Sequence, residues 1–259
     1  MSDLQDKIAL ITGGGSGIGE AICKVFASSG AAVRIVDSNL DHAQAVAKTI
    51  EAGGGQASAH HCDISTQASV VELVEQLCRE GGIDILVNNA GISHVGSLEN
   101  TSADDMDRLF QVNVKGAFHC MLASIPHMKQ RRKGVILNLA SIAGMVGLAD
   151  RFAYSMSKGA LLAMTYSVAK DYLSWNVRCN SISPARIHTP FVNGFLKKNY
   201  AGKEKETFEK LSRAQPIGRM GEPEEVAFLA RFLCSDDAAF ITGANFPIDG
   251  GTLTLSVEK

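Results

Sequence analysis

Short apolar runs rich in β-branched residues alternate with helix-length segments along the chain, and that alternation constrains the fold more than any other feature. Residues 7–12 (KIALIT), 32–37 (AVRIVD), 83–87 (IDILV), 134–139 (GVILNL) and 176–182 read as strands, with a weaker strand over 57–62 and a last short one near 244–248. Helices are expected over 17–29, 40–51, 66–79, about 103–130, about 152–173 and 223–234. Pro126 is expected to bend or end the long fourth helix, and Pro223 to sit in the first turn of the last one. Strands joined by crossover helices pair in parallel, with right-handed crossovers, and are covered on both faces. The expected class is therefore α/β, a doubly wound parallel sheet. No linker, repeat or low-complexity stretch divides the chain, so residues 1–259 read as a single domain. The polar, lysine-rich stretch 190–213 has few apolar anchors and is expected to act as a substrate lid. A permanently docked helix pair is the alternative there.

Composition removes several classes of function. A formal net charge of −2 gives no global field to recruit nucleic acid or an anionic membrane. No apolar run approaches the roughly 18 residues of a membrane span, and residues 1–7 lack the apolar stretch of a signal peptide, so the cytoplasm is the expected location. The six cysteines are scattered, with no C-x-x-C pair, and read as free, mostly buried thiols. His60 and His61 are adjacent, but no Cys/His/Glu set has ligand spacing; no metal is expected, and the pair reads as ordinary strand residues.

Residues 12–19, Thr-Gly-Gly-Gly-Ser-Gly-Ile-Gly, come directly after the first strand and open the first helix. Glycines there let the backbone approach a pyrophosphate, and the helix start supplies free N–H groups, so a Rossmann-like dinucleotide site is expected. The spacing departs from G-x-G-x-x-G, and a tight strand–helix connection remains the plain alternative. Asp37 ends the second strand, where a carboxylate accepts hydrogen bonds from an adenosine ribose and repels a 2′-phosphate. Neither Ser16 nor Ser38 is basic, so NAD is favoured over NADP. A cap of the next helix is the alternative role for Asp37.

Tyr154 and Lys158 are four apart near a helix start and share one face. An ammonium about 5 Å from a phenol favours the phenolate by roughly 3 kcal/mol at an effective dielectric of 20, about two pKa units. Such a pair is suited to acid/base work near neutral pH. Ser141 lies just past the strand 134–139, Asn113 lies inside the long helix, and Asn88-Asn89-Ala90-Gly91 comes directly after the strand 83–87.

With T-G-x-x-x-G-x-G at 12–19, N-N-A-G at 88–91, Asn113, Ser141, Y-x-x-x-K at 154–158 and Ile248-Asp249-Gly250-Gly251, in that order, the chain resembles the short-chain dehydrogenases/reductases over essentially its whole length. The resemblance implies a catalytic set of Asn113, Ser141, Tyr154 and Lys158. Tyr154 would be the acid/base. Lys158 would hold the nicotinamide ribose and depress the tyrosine pKa. Ser141 would bond the substrate oxygen, and Asn113 would hold a water in a proton relay. It further implies cofactor contacts from Gly13, Gly15, Ser16, Gly17, Ile18, Gly19, Asp37, Asp63 (at the adenine), Asn89, Ala90, Gly91, Tyr154, Lys158, Pro184, Ile187 and Thr189, and a homotetramer built on the helices 103–130 and 152–173 and on the C-terminal strand. The plain alternatives are a helix kink or cap for Asn113, turn formers for Asn88 and Asn89, and a shaper of the C-terminal turn for Asp249. The pattern breaks once: members usually carry Pro-Gly after the sixth strand, and here it is Pro184-Ala185, so the loop is expected to use φ < 0 at Ala185.

The expected activity is hydride transfer between NAD(H) and a small polar secondary alcohol or ketone, such as a sugar, sugar acid or hydroxy acid. The rivals are an NADPH-dependent carbonyl or acyl-thioester ketoreductase and an inactive binding relative; the intact catalytic set opposes the second. His94, Arg151, Arg186 and His188 are candidate substrate contacts, with the arginines suited to a carboxylate. A salt bridge within the fold or at a subunit contact is the alternative for Arg186, and solvation or pairing with Asp150 the alternative for Arg151.

Overall fold

The computed structural model describes residues 4–255. Seven strands form one parallel sheet in the order β3-β2-β1-β4-β5-β6-β7. They are β1 (Ile8–Thr12), β2 (Ala32–Asp37), β3 (Gln56–His61), β4 (Ile85–Asn88), β5 (Gly134–Leu139), β6 (Val177–Pro184) and β7 (Asn245–Ile248). The central strands are buried on both faces, which is why they read as unbroken apolar runs. β3 (QASAHH) is an edge strand paired only with β2, and its half-exposed faces explain its weak signal.

Helices α1 (Gly17–Ser28), α2 (Leu40–Ala52) and α9 (Pro223–Cys234) cover one face, where Ile22, Phe26, Val46, Ile50, Val226 and Leu233 meet the sheet. Helices α3 (Gln67–Arg79), α5 (Gly116–Arg131) and α6 (Phe152–Tyr172) cover the other, through Val74, Leu77, Met121, Met128 and Ala169. Each large side chain so buried contributes about 1.5–3 kcal/mol. All six cysteines are free, and all but Cys78 are buried. No helix among the described residues is long and apolar enough to cross a membrane.

The expected uniform helix over 103–130 needs correction. The long helix over 103–130 is not uniform: α4 (Ala103–Leu109) passes into a π turn over Phe110–Lys115 before α5 begins. An i→i+5 turn carries an extra residue and rotates the helix beyond it, and here it buries Asn113. Pro126 does not end the helix either, since α5 runs on to Arg131 and stops where Arg132 turns left-handed, at φ 49°. The stretch 190–213 forms two helices, α7 (Pro190–Asn199) and α8 (Glu204–Arg213). The edge of the His188 ring meets Phe208 with centroids 5.0 Å apart.

Candidate active site

Strand order reverses between β1 and β4, so their C-terminal ends open the crevice in which such sheets bind ligands. The first glycine turn sits there. Gly13 and Gly17 adopt φ of +64° and +56°. A Cβ on Gly19 would stand 2.0 Å from the Gly13 carbonyl oxygen, so only glycine fits at the start of α1. Thr12, to which the glycine motif assigns no role of its own, locks the turn: its hydroxyl accepts from the N–H groups of Asn89 and Ala90, each at 3.1 Å. The Asn89 amide donates back to the carbonyls of Thr12 and Gly13, both at 3.0 Å. Asn89 is therefore a clamp on the cradle and not merely a turn former. Thr189, opening α7, faces the same loop, 3.4 Å from where a Cβ on Gly17 would stand.

Asp37 points into this cradle. Its Oδ2 accepts from the Gly15 N–H at 3.0 Å and its Oδ1 from the Asn39 N–H at 2.9 Å. The cap of α2 is Asn39, whose side chain accepts from the His42 N–H, so capping is not the role of Asp37. Asp63 spends its Oδ1 on the N–H and hydroxyl of Ser65, at 2.9 and 2.7 Å. Left-handed glycines, a close-approach position at Gly19 and a carboxylate at the end of β2 fit a dinucleotide: the loop 13–19 would hold its pyrophosphate and Asp37 its adenosine ribose.

The catalytic candidates converge at the ends of β5 and β6. Ser141 starts the short turn Ile142–Gly144, accepting from the Ala143 N–H at 3.1 Å and donating to the Pro184 carbonyl across a long 3.4 Å. Gly144, absent from the expected site, makes the arrangement possible. A Cβ there would meet the backbone of Lys158 and Gly159 at 2.7 Å, so only glycine lets this turn press against α6 beside Tyr154 and Lys158. Ala185 has no positive φ, as expected, and donates its N–H to the Ile248 carbonyl at 3.1 Å. Asp249 shapes the C-terminal turn, accepting from the N–H groups of Gly251 and Leu253.

Asn113 is a positioning residue. Its Oδ1 accepts from the Ile92 N–H at 2.8 Å, and its amide donates to the Ile92 carbonyl at 2.9 Å and the Ser157 hydroxyl at 3.0 Å. Ser157 in turn donates to the Tyr154 carbonyl at 2.8 Å. Both amide donors thus hold the Gly91–Ile92 turn against the first turn of α6. Gly91 lies between them: a Cβ on it would be 3.1 Å from Asn113 Oδ1 and 3.6 Å from Lys158 Nζ.

The electrostatics differ from the expectation. Burial pushes the Tyr154 phenol above its ordinary value, opposed by a hydrogen bond with Ser141 and then by the charge of Arg151. Lys158 stands 5.8 Å from the Tyr154 ring centroid and donates to the Leu139 carbonyl at 2.7 Å. Burial lowers Lys158 itself to about 8. Unfolded, that amine titrates near 10.5, so between these values the unfolded chain binds the extra proton, and the site adds stability as pH rises. Relative to Lys158→Met, the wild type is expected to gain up to about 3 kcal/mol between about pH 7 and pH 10.5 in urea unfolding. Parallel pH curves for the two proteins would remove the buried amine as the cause.

The candidate substrate residues divide. Arg151 Nη1 donates to the Ser93 hydroxyl at 3.1 Å and the His94 carbonyl at 3.4 Å; no ion pair joins it to Asp150. His94 Nε2 turns to Asp105 at 3.5 Å, and His188 Nε2 bonds Asn193 Oδ1 at 3.0 Å, so both rings are engaged by neighbouring helices. Arg186 remains exposed just past β6.

A doubly wound sheet with this cradle and a Ser–Tyr–Lys cluster at its carboxyl edge defines a nicotinamide-dependent oxidoreductase. Residues 13–253 match the family model described as Enoyl-(Acyl carrier protein) reductase. The chain is 37% identical over 248 residues to meso-2,3-butanediol dehydrogenase of Serratia marcescens, covering 95% of this chain and 94% of that protein. It is 36% identical over 249 residues to 3-oxoacyl-[acyl-carrier-protein] reductase of Thermotoga maritima, covering 96% and 98%. Among solved structures it resembles levodione reductase, with a TM-score of 0.92 at 30% identity over 97% of this chain and 99% of that one. The chain belongs to the short-chain dehydrogenase/reductase family, whose members act on alcohols and ketones with a nicotinamide cofactor.

Proposed function

We propose that this protein transfers a hydride between NAD(H) and a small polar secondary alcohol or its ketone. The observation that carries the choice of cofactor is the Asp37 carboxylate, fixed by the N–H groups of Gly15 and Asn39 at the cradle where the adenosine ribose belongs. Its charge repels a 2′-phosphate, which opposes the rival NADPH-dependent acyl-thioester reductase suggested by the Thermotoga relative. Bound nicotinamide supplies the acceptor or donor of hydride at the carbinol carbon. The chain supplies the rest. Tyr154 Oη takes the hydroxyl proton in oxidation and returns it in reduction. Ser141 exchanges its long bond to Pro184 for one to the substrate oxygen. Lys158 holds the nicotinamide ribose. Asn113 and Ser157 fix the turn carrying Tyr154. The segment α7–α8 covers the substrate, with Thr189 resting on the cofactor cradle.

The exposed rings of Phe110, Phe118, Phe152 and Tyr166, which lie on the helical segments 103–131 and 152–172, support a homotetramer. Six unpaired cysteines suit the cytoplasm. Asp37→Ala removes ribose hydrogen bonds and the repulsive charge, each worth about 1–3 kcal/mol. The NAD-over-NADP ratio of kcat/KM is therefore expected to fall about 100-fold or more. An unchanged ratio in steady-state assays with both cofactors would overturn the assignment.

A further inference from the structure

Two arginines stand on the segments that carry the Ser141–Tyr154 pair, and their charges act on one another. Arg151 caps the start of α6 just before Tyr154, and its backbone bridges to Gly96. Its side chain is fixed by Ser93 and His94, so the charge is held in place. Arg186 lies two residues past Pro184, whose carbonyl receives the Ser141 hydroxyl, and its own carbonyl is pinned by the Gly221 N–H at 3.0 Å. Among the described residues, neither arginine has a carboxylate within 4.0 Å. The chain does pair arginines elsewhere: Arg131 with Asp84 at 2.8 Å, and Arg219 with both oxygens of Glu225 at 2.7 Å.

Like charges placed together disfavour one another, and the charge effect on Arg186 that runs the other way comes from Tyr200, a phenol and not a carboxylate. Partial burial and then the Arg151 charge press the Arg186 pKa down. The Arg151 charge also acts on Tyr154. The missing partner is an anion. A guanidinium presents a planar fork of donors matched to a carboxylate, and two such forks fix its position.

Resting on the dehydrogenase reading above, we propose that the substrate is a hydroxy or sugar acid whose carboxylate is clamped between Arg151 and Arg186, with its secondary carbinol at Ser141 and Tyr154. Clamping one end of a short polar chain selects which carbinol meets Tyr154, so the arginines set regiochemistry as well as affinity.

The test assays NADH formation with sodium aldonates and hydroxybutyrates, each beside its neutral amide, and with meso-2,3-butanediol. At least one acid is expected to exceed its amide about tenfold or more in kcat/KM. Arg186→Met is expected to lower the value for that acid about 30- to 1,000-fold, mainly through KM, while the amide changes less than about threefold. Arg186→Lys keeps the charge without the fork and should recover part of the loss. Arg186 is exposed, so these variants retain the fold. Equal losses for acid and amide, or a wild-type preference for neutral alcohols, overturn the clamp and leave the dehydrogenase reading intact. If no compound is oxidised, calorimetric titration of the same acids onto the NADH-bound protein separates the two claims. Binding that Arg186→Met abolishes sustains the clamp against a failed redox reading, and absence of binding overturns it.

Discussion

Tyr154→Phe is expected to lose at least about a thousandfold in turnover while binding the dinucleotide as tightly as the wild type. General acid/base groups contribute about 10²- to 10⁴-fold, and the substitution deletes only the oxygen that does this work. The phenol sits against Ser141, raised above its ordinary value by burial, so it holds its proton in the resting protein and has one to donate in the reductive direction. No neighbouring group replaces it. Lys158 Nζ is anchored by the Leu139 carbonyl, 5.8 Å from the Tyr154 ring centroid, and Ser141 Oγ lacks a base of its own. Steady-state rates and a fluorescence titration of NADH separate chemistry from binding. A variant that retained a tenth of the normal rate would require a different proton donor.

The second large effect concerns the cradle. Gly19→Ala places a methyl carbon 2.0 Å from the Gly13 carbonyl oxygen and 2.5 Å from the Asn89 amide nitrogen. Neither can step aside. The Gly13 N–H is bonded to the Val36 carbonyl at 2.7 Å, and its carbonyl is gripped by Asn89. The loop must shift as a unit, and forced overpacking costs about 1–3 kcal/mol. At roughly 2–4 °C per kcal/mol for a chain of this size, Tm should fall by about 5–10 °C. Dinucleotide affinity should fall about 100-fold or more, because the displaced N–H groups are those proposed to hold the pyrophosphate. Gly147→Ala is the control: nothing lies within 4 Å of its added carbon and its φ is unexceptional, so Tm and affinity should stay unchanged. A Gly19→Ala protein with wild-type affinity would place the pyrophosphate elsewhere.

Sequence patterns reveal those parts of the molecule that repeat or that sit together along the chain. β1, β2 and β5 are legible because strands buried on both faces need consecutive apolar residues. The cradle is legible because its glycines are neighbours in sequence. The contacts that align the catalytic groups join distant segments and leave no periodic trace. Thr12 meets Asn89, Asn113 meets Ser157, and Gly144 meets Gly159 only through the fold. The π turn is hidden for a related reason: FQVNVK carries no glycine or proline to mark a break, so its pattern continues that of a regular helix. Helical spacing reports only which side chains share a face. It does not report that the Leu139 carbonyl accepts from Lys158 or that the Arg151 charge also acts on Tyr154.

The π turn at Phe110–Lys115 also constrains how this chain can evolve. Losing one residue there would restore a regular helix, a gain in local stability. Everything upstream would then rotate by about 100° relative to α5, and Asn113 would no longer reach both Ile92 and Ser157. A deletion elsewhere on the helix surface can be repaired by later substitutions, one at a time. Here the better-folded descendant is the inactive one, so selection for turnover alone preserves the irregular turn. Segment length between α4 and α5 is in that sense an inherited part of the active site, passed on through chain length as much as through residue identity.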